Sequence, residues 1–284
     1  MKHGIRVAVI GVLTALAAHP QGIEPSFAAV SIRPVQGRLP GLGTVLFQPG
    51  GRLSANGVTI RVLIAAAYGL PFPTPRITGG PDWVEANRET FVVEAVAEPG
   101  TISESLSPAQ LREKMRPMIR QLLAERFKLV LRAERKEMQV FQLVVAASGA
   151  KLTKSSVSEA QCSAPATPNA CHDLVGNRQR GMNGDVVSLG DVASLLEISS
   201  DVPVVDATGI KDLFSVRMGP YSRVTPQEVP AEIVNLPADR PRPPAEPWPS
   251  VFKVLEQDLG LRLVSGRAQV EMLRIESAQM PTAN

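Results

Sequence analysis

The hydrophobic pattern is most orderly over residues 51–70, GRLSANGVTIRVLIAAAYGL. Leu53 and Ala55 alternate with Ser54 and Asn56, the period of a half-buried strand, and Asn56-Gly57 predicts a turn at its end. Ile60, Leu63, Ile64 and Ala67 then recur at helical spacing. The Thr59 hydroxyl is placed to cap that helix, Gly69 suits the left-handed position after its last turn, and Pro71 stops it. A helix of roughly nine residues is too short to persist alone in water, so it must pack on a sheet.

A weaker copy follows at residues 181–197, GMNGDVVSLGDVASLLE. Sliding the chain by 129 positions lays Val58-Thr59-Ile60 on Val187-Ser188-Leu189. Ser188 becomes the cap, and Asp191 completes a near capping box. Sliding by 134 lays Lys128-Leu129-Val130 on Arg262-Leu263-Val264, and Glu137-Met138 on Glu271-Met272. A tandem duplication with one indel accounts for both offsets.

Between the copies, strands are predicted over residues 27–33, 44–47 and 90–97, with a tight turn over 77–83. Ser107-Pro108-Ala109-Gln110 is a capping box with proline in the first turn. It opens a helix through Leu111, Met115, Met118, Ile119, Leu122, Leu123 and Phe127, which Pro117 should kink or split. The helix's other face carries Arg112, Glu113, Arg116, Arg120 and Glu125, read either as a partner-binding surface or as a solvated face laced with salt bridges. Residues 127–132 and 138–146 predict two strands joined through 133–137. Residues 261–264 and 270–275 predict a matching final hairpin. The expected fold is α+β: two tandem similar lobes, residues 25–152 and 181–284, each a small, mostly antiparallel sheet with helices on one face. A polar linker spans 153–180, and a proline-rich insertion spans 219–249.

Composition adds a compartment. The chain has 284 residues, enough for two small cores, and its aromatic content of 4% means those cores are built mainly from aliphatic side chains. Lys2 and Arg6 precede an apolar run over residues 7–16, and Ala15-Leu16-Ala17 fits a small-x-small cleavage site, so residues 1–17 read as a signal peptide. An uncleaved anchor is the alternative. Cleavage removes two basic groups and no acidic ones, taking the formal charge from +3 to +1. Such a chain has no electrostatic case for nucleic acid, and no membrane span is expected after cleavage. An exported protein, periplasmic or extracellular, follows. In an oxidising compartment Cys162 and Cys171, nine positions apart, read as a disulfide. A metal site using Cys162, Cys171 and His172 lacks a nearby fourth ligand and a standard zinc spacing.

The stretches GRLSANGVTIRVLIAAAYGL, ITGGPDW, LLAERFKLVLRAERKEMQVFQLVVA, VVDATGIKDLFSV and LGLRLVSGRAQVEMLRIESAQMPTAN together resemble an exported protein family greatly expanded in soil acidobacteria and classed as a domain of unknown function. The resemblance implies an exported protein with many paralogues. A similar domain occurs behind membrane metallopeptidase modules of the antibiotic-sensor type. The resemblance carries over no functional residues. Pro117 departs from the family's usual pattern. The strand–helix–strand–strand unit is also similar to the short N-terminal modules of secretins and TonB-dependent receptors, an analogy of fold only.

Candidate chemistry is sparse. Of three histidines, His3 leaves with the signal and His19 lies near the new terminus, which leaves His172. Its neighbour Asp173 cannot orient the ring as a catalytic triad requires. No HExxH, phosphate-binding loop, dinucleotide fingerprint or CxxC occurs. Asp82, Glu85 and Glu94 are the carboxylates available to a hydrolase. Tyr68 and Trp83 flank the first unit and are candidate ligand-binding residues, lining a groove for a glycan or peptide; core and edge packing is the alternative. Trp248 is either a partner contact or a local plug. The sequence therefore favours a non-catalytic binding or sensory module of the cell envelope, with no cofactor and no metal, and an envelope protein, peptide or glycan as partner. A carboxylate-dependent hydrolase and a structural component of an envelope assembly are the alternatives.

Overall fold

The computed structural model describes residues 26–35, 43–86, 88–162, 171–223 and 248–282. Residues 1–17, read above as a signal peptide, and most of the proline-rich insertion lie outside them. The first half runs β1 (Phe27–Pro34), β2 (Thr44–Gln48), β3 (Arg52–Val58), α1 (Ile60–Tyr68), β4 (Ile77–Gly79), α2 (Asp82–Glu85), β5 (Phe91–Ala97), α3 (Pro108–Arg126) and β6 (Val130–Val145). The second runs β7 (Thr153–Lys154), α4 (Glu159–Cys162), β8 (Val175–Asn177), β9 (Gly181–Val187), α5 (Leu189–Glu197), β10 (Val204–Asp206), β11 (Phe214–Met218) and α6 (Val251–Val254). A π-helical turn (Leu255–Leu259) and β12 (Leu261–Ser277) complete it.

The fold is α+β, with two similar lobes. Their outer sheets are ordered β1-β5-β3-β2 and β7-β11-β9-β8, so corresponding strands hold corresponding places. In the first, Phe91, Val93, Ala95 and Ala97 of β5 are buried and the intervening residues are not, which aims one face at α1 and α3. Leu53 and Ala55 of β3 do the same, but Asn56-Gly57 is a bulge rather than a turn. Gly57, at φ 65°, lets β3 shift register and still continue to Val58. Ser107 and Gln110 close the expected capping box, and α3 runs unbroken across Pro117. Thr59 caps α1 through its backbone carbonyl alone; its buried hydroxyl has no hydrogen-bond partner among the described residues.

The ends of the two halves depart most from the sequence reading. Residues 130–145 form one strand of 16 residues and residues 261–277 one of 17, paired antiparallel along their length. Neither is a hairpin. Residues 133–137, AERKE, are polar but hold no glycine, proline or asparagine to make a turn. They are polar because the ribbon is exposed as it crosses between lobes; there Glu137 pairs with Arg267 at 3.0 Å, and Arg135 lies opposite Glu271. Residues 77–79, expected as a turn, form β4.

The crossing interlocks the halves. In the central sheet, ordered β10-β6-β12-β4, strand β4 lies parallel to the far end of β12, and β10 lies parallel to the far end of β6. Leu273 and Ile275, near the C-terminus, are buried in the first lobe's core; Phe141 and Leu143, from the first half, are buried in the second's. Where the lobes meet, Glu197 at the end of α5 is fully buried and accepts from Arg76, the Thr74 hydroxyl and the Val204 N–H. The polar stretch 153–180 supplies the edge strands β7 and β8.

Candidate functional site

On the second lobe, Ser188 and Asp191 start α5 with a full capping box: Ser188 Oγ accepts from the Asp191 N–H at 3.1 Å, and Asp191 Oδ2 accepts from the Ser188 N–H at 2.8 Å. Cys162 and Cys171 form a disulfide, with Cα atoms 5.8 Å apart. Cys171 bridges to Val186, and the His172 N–H donates to the Val186 carbonyl at 2.8 Å. These ties seat His172 beside the start of α5, with a backbone φ of 54°. Its Nδ1 lies 2.8 Å from Asp191 Oδ2 and its Nε2 3.1 Å from Glu159 Oε1.

An imidazole between two carboxylates is held as imidazolium. The hydrogen bond to Asp191 and the charges of Asp191 and Glu159 outweigh partial burial and raise its pKa to about 9. Burial opposes ionisation of Asp191, but hydrogen bonds from His172 and Ser188 prevail and hold its pKa below the ordinary value. Both ring nitrogens are therefore occupied donors. A general base needs a free nitrogen facing its substrate, and His172 as placed has none. Ser188 Oγ donates to Asp191 Oδ2 at 2.8 Å, so serine and histidine share the carboxylate instead of forming a relay.

The first lobe supplies the facing wall. The α3 capping box fixes the helix start, and Ala109, Arg112, Glu113, Lys114 and Arg116 turn toward the second lobe. Between these residues and Glu159, Cys162, His172 and Asp191 lies an open cleft of about 870 Å³. A smaller cavity of about 320 Å³ shares Arg112, Arg116, His172 and Asp191 with it and continues over apolar Leu70, Leu195 and Ile198. Arg116 pairs with Glu113 and lies over Gly69, the left-handed residue that ends α1. A Cβ at Gly69 would meet the flexible end of Arg116.

The candidates read from the sequence fall mostly elsewhere. Tyr68 ends α1 with Arg120 stacked 5.4 Å over its ring, and it borders a separate cavity of about 360 Å³ beside Pro117 and Leu131. Trp83 packs edge-on to Phe91, centroids 6.4 Å apart, and borders none of these three cavities. Asp82 and Glu85 are exposed on α2, while Glu94 accepts from Ser54 at 2.7 Å; none borders the cleft. Trp248 is 36% exposed. The sulfurs of Cys162 and Cys171 are consumed by their disulfide, so they are not thiolate ligands. Among the described residues no group of three His, Cys, Asp or Glu is placed to hold a metal ion. No helix among them is long and apolar enough to cross a membrane.

Sequence reasoning named Asp191 only as a cap and Asp173 as the nearest acid to His172. The pairing of His172 with Asp191 spans 19 positions. The one signal for it was Asp in place of the usual capping-box Glu, which leaves a short carboxylate at the helix mouth within reach of a neighbour.

A family model described as "Protein of unknown function (DUF3738)" matches residues 61–278. No curated protein matches, and no solved structure does.

Proposed function

We infer that this chain, which belongs to the DUF3738 family of proteins of unknown function, is a non-catalytic binding module that holds its ligand in the cleft between its two lobes. The carrying observation is the 870 Å³ cleft, walled by α3 on one side and by the disulfide segment and α5 on the other. Its volume lies in the range of small-molecule sites. The carboxylates around it are tied to Arg116, His172 and Ser188, as suits recognition, and His172 has no free nitrogen for proton transfer. The charged N-terminal pattern, the small-x-small site and the disulfide support export to the periplasm or beyond. The matched order of the two outer sheets supports an internal duplication with lobes at 25–152 and 181–284.

The test is a thermal-shift screen of the secreted protein against envelope-derived peptides and glycans, repeated with Ala109→Trp, which sets an indole into the cleft. Ligands that stabilise the wild type should lose their effect on the variant. Stabilisation that survives the blocked cleft, or none across the panel, counts against the reading.

A structural role in an envelope assembly has one observation of its own. The corresponding edge strands β2 and β8 each expose an apolar side chain, Leu46 at 50% and Val175 at 54%. Among the described residues both edges are unpaired, and such edges accept further strands.

A further inference from the structure

We propose that the inter-lobe cleft selects a singly charged anion, a carboxylate carried on an apolar body, and that Arg112 is the residue that recognises it. The proposal rests on the binding reading above and adds the chemical class of the ligand.

The charges of the cleft can be followed group by group. Its acids are Glu113, Glu159 and Asp191. Glu113 is paired with Arg116, Asp191 serves His172 and Ser188, and Glu159 serves His172. A cationic ligand would meet acceptors that are already committed. Its basic groups are Arg112, Lys114, Arg116 and His172. Arg116 and His172 are paired, whereas Arg112 and Lys114 have no carboxylate partner among the described residues. With His172 protonated, four positive and three negative groups leave one net positive charge, which fits a monoanion better than a phosphate dianion set beside three carboxylates.

Position separates Arg112 from Lys114. Lys114 is exposed, while Arg112 is half-buried and borders both the main cleft and the smaller cavity behind it. A planar guanidinium there can take both oxygens of a carboxylate at once. Leu106 and Ala109 of the main cleft, and Leu70, Leu195 and Ile198 of the smaller cavity, offer an apolar surface to what the carboxylate is attached to. Free organic acids and peptide C-termini share this chemistry.

The experiment titrates the secreted protein by ligand-observed NMR with four matched probes: 4-phenylbutyrate and its amide, and acetyl-Leu-Leu as free acid and as C-terminal amide. Each acid should bind at least about tenfold more tightly than its amide, as one charge-assisted bond of roughly 1.4 kcal/mol requires. Preference for one acid pair over the other identifies a peptide end or a small acid as the source. Arg112→Gln should bring the acids down to the amides without changing amide binding, and Arg112→Lys should restore part of the difference. Phenyl phosphate should bind more weakly than 4-phenylbutyrate. Equal binding of acids and amides, an unchanged preference in Arg112→Gln, or no acid bound at millimolar concentration overturns the proposal. Probes that bind without regard to charge but are lost in Ala109→Trp would overturn the ligand class and leave the cleft as the site. Binding indifferent to Ala109→Trp would remove the cleft itself.

Discussion

Arg76, in the loop before β4, grips Glu197, the last residue of α5, with two nitrogens, Nη2 lying 2.5 Å from Oε2. The carboxylate is fully buried, and the Thr74 hydroxyl and the Val204 N–H occupy its remaining acceptor positions. A buried charge is tolerable only when its partners are complete, and removing one typically costs about 3–5 kcal/mol. Arg76→Ala should therefore destabilise the chain by about 3 kcal/mol in urea unfolding. Glu197→Gln, which leaves no uncompensated carboxylate, should cost less. Equal losses for the two would show that charge is not what matters there.

His172 makes stability depend on pH. Its pKa is about 6.5 when unfolded and about 9 when folded. The folded chain holds the proton more tightly, so the contribution is complete below about 6.5 and is lost as pH rises toward 9. With its side chain 29% exposed, solvent screening leaves about 1–2 kcal/mol. Asp191, whose pKa is lowered, acts oppositely, and its share is lost on acidification below the ordinary carboxylate range. Urea melts at pH 6, 7.5 and 9 should show falling stability in the wild type and a flatter profile in His172→Gln.

Reduction of the disulfide should release the wall that seats His172. The chain between Cys162 and Cys171 is short, so the entropic gain of closing it is about 2–3 kcal/mol. Cys162→Ser with Cys171→Ser should lower stability by that amount. It should also move the His172 imidazole resonances toward a free titration, which a purely local loosening of the loop would leave in place.

Two helix-ending glycines differ in their surroundings. Gly69 (φ 65°) and Gly260 (φ 62°) end the helical segments of the two lobes in left-handed conformation. Each pays about 1 kcal/mol or more on gaining a Cβ. At Gly69 the added atom meets the flexible end of Arg116; at Gly260 it meets the backbone carbonyl of Gly149. Gly260→Ala should therefore be the more damaging in thermal unfolding, by about 1 kcal/mol or more.

The interlocked ribbon predicts that the lobes do not fold separately. Residues 26–152 lack β12, whose Leu273 and Ile275 fill the first core. Expressed alone, that half should give the collapsed amide spectrum of an unfolded chain, and a peptide of residues 261–282 should restore dispersion. In the whole protein, Leu273→Ala should cost about 2–5 kcal/mol.

Much of this was legible in one dimension. The period of residues 60–67, the capping boxes at Ser107 and Ser188, and Gly69 after α1 are local features. Each is fixed by contacts within a turn or two, so residue order alone places them. The α+β class followed from these patterns, and the disulfide from the cysteine count and the expected compartment.

What the tertiary structure decided are relations between distant positions. Polarity over 133–137 reads the same whether a chain turns or crosses open space between two bodies, and only the partner strand β12 shows that it crosses. The cleft owes its walls to α3 and α5, and its histidine to pairings across 13 and 19 positions that spacing does not imply. Tyr68 and Trp83 stood out by rarity, a property of composition, but which side chains share a cavity is set by packing. The sequence by itself determined the short elements, because those depend on neighbours along the chain. The exchange of long strands between lobes, and the cleft it holds in place, depend on neighbours in space.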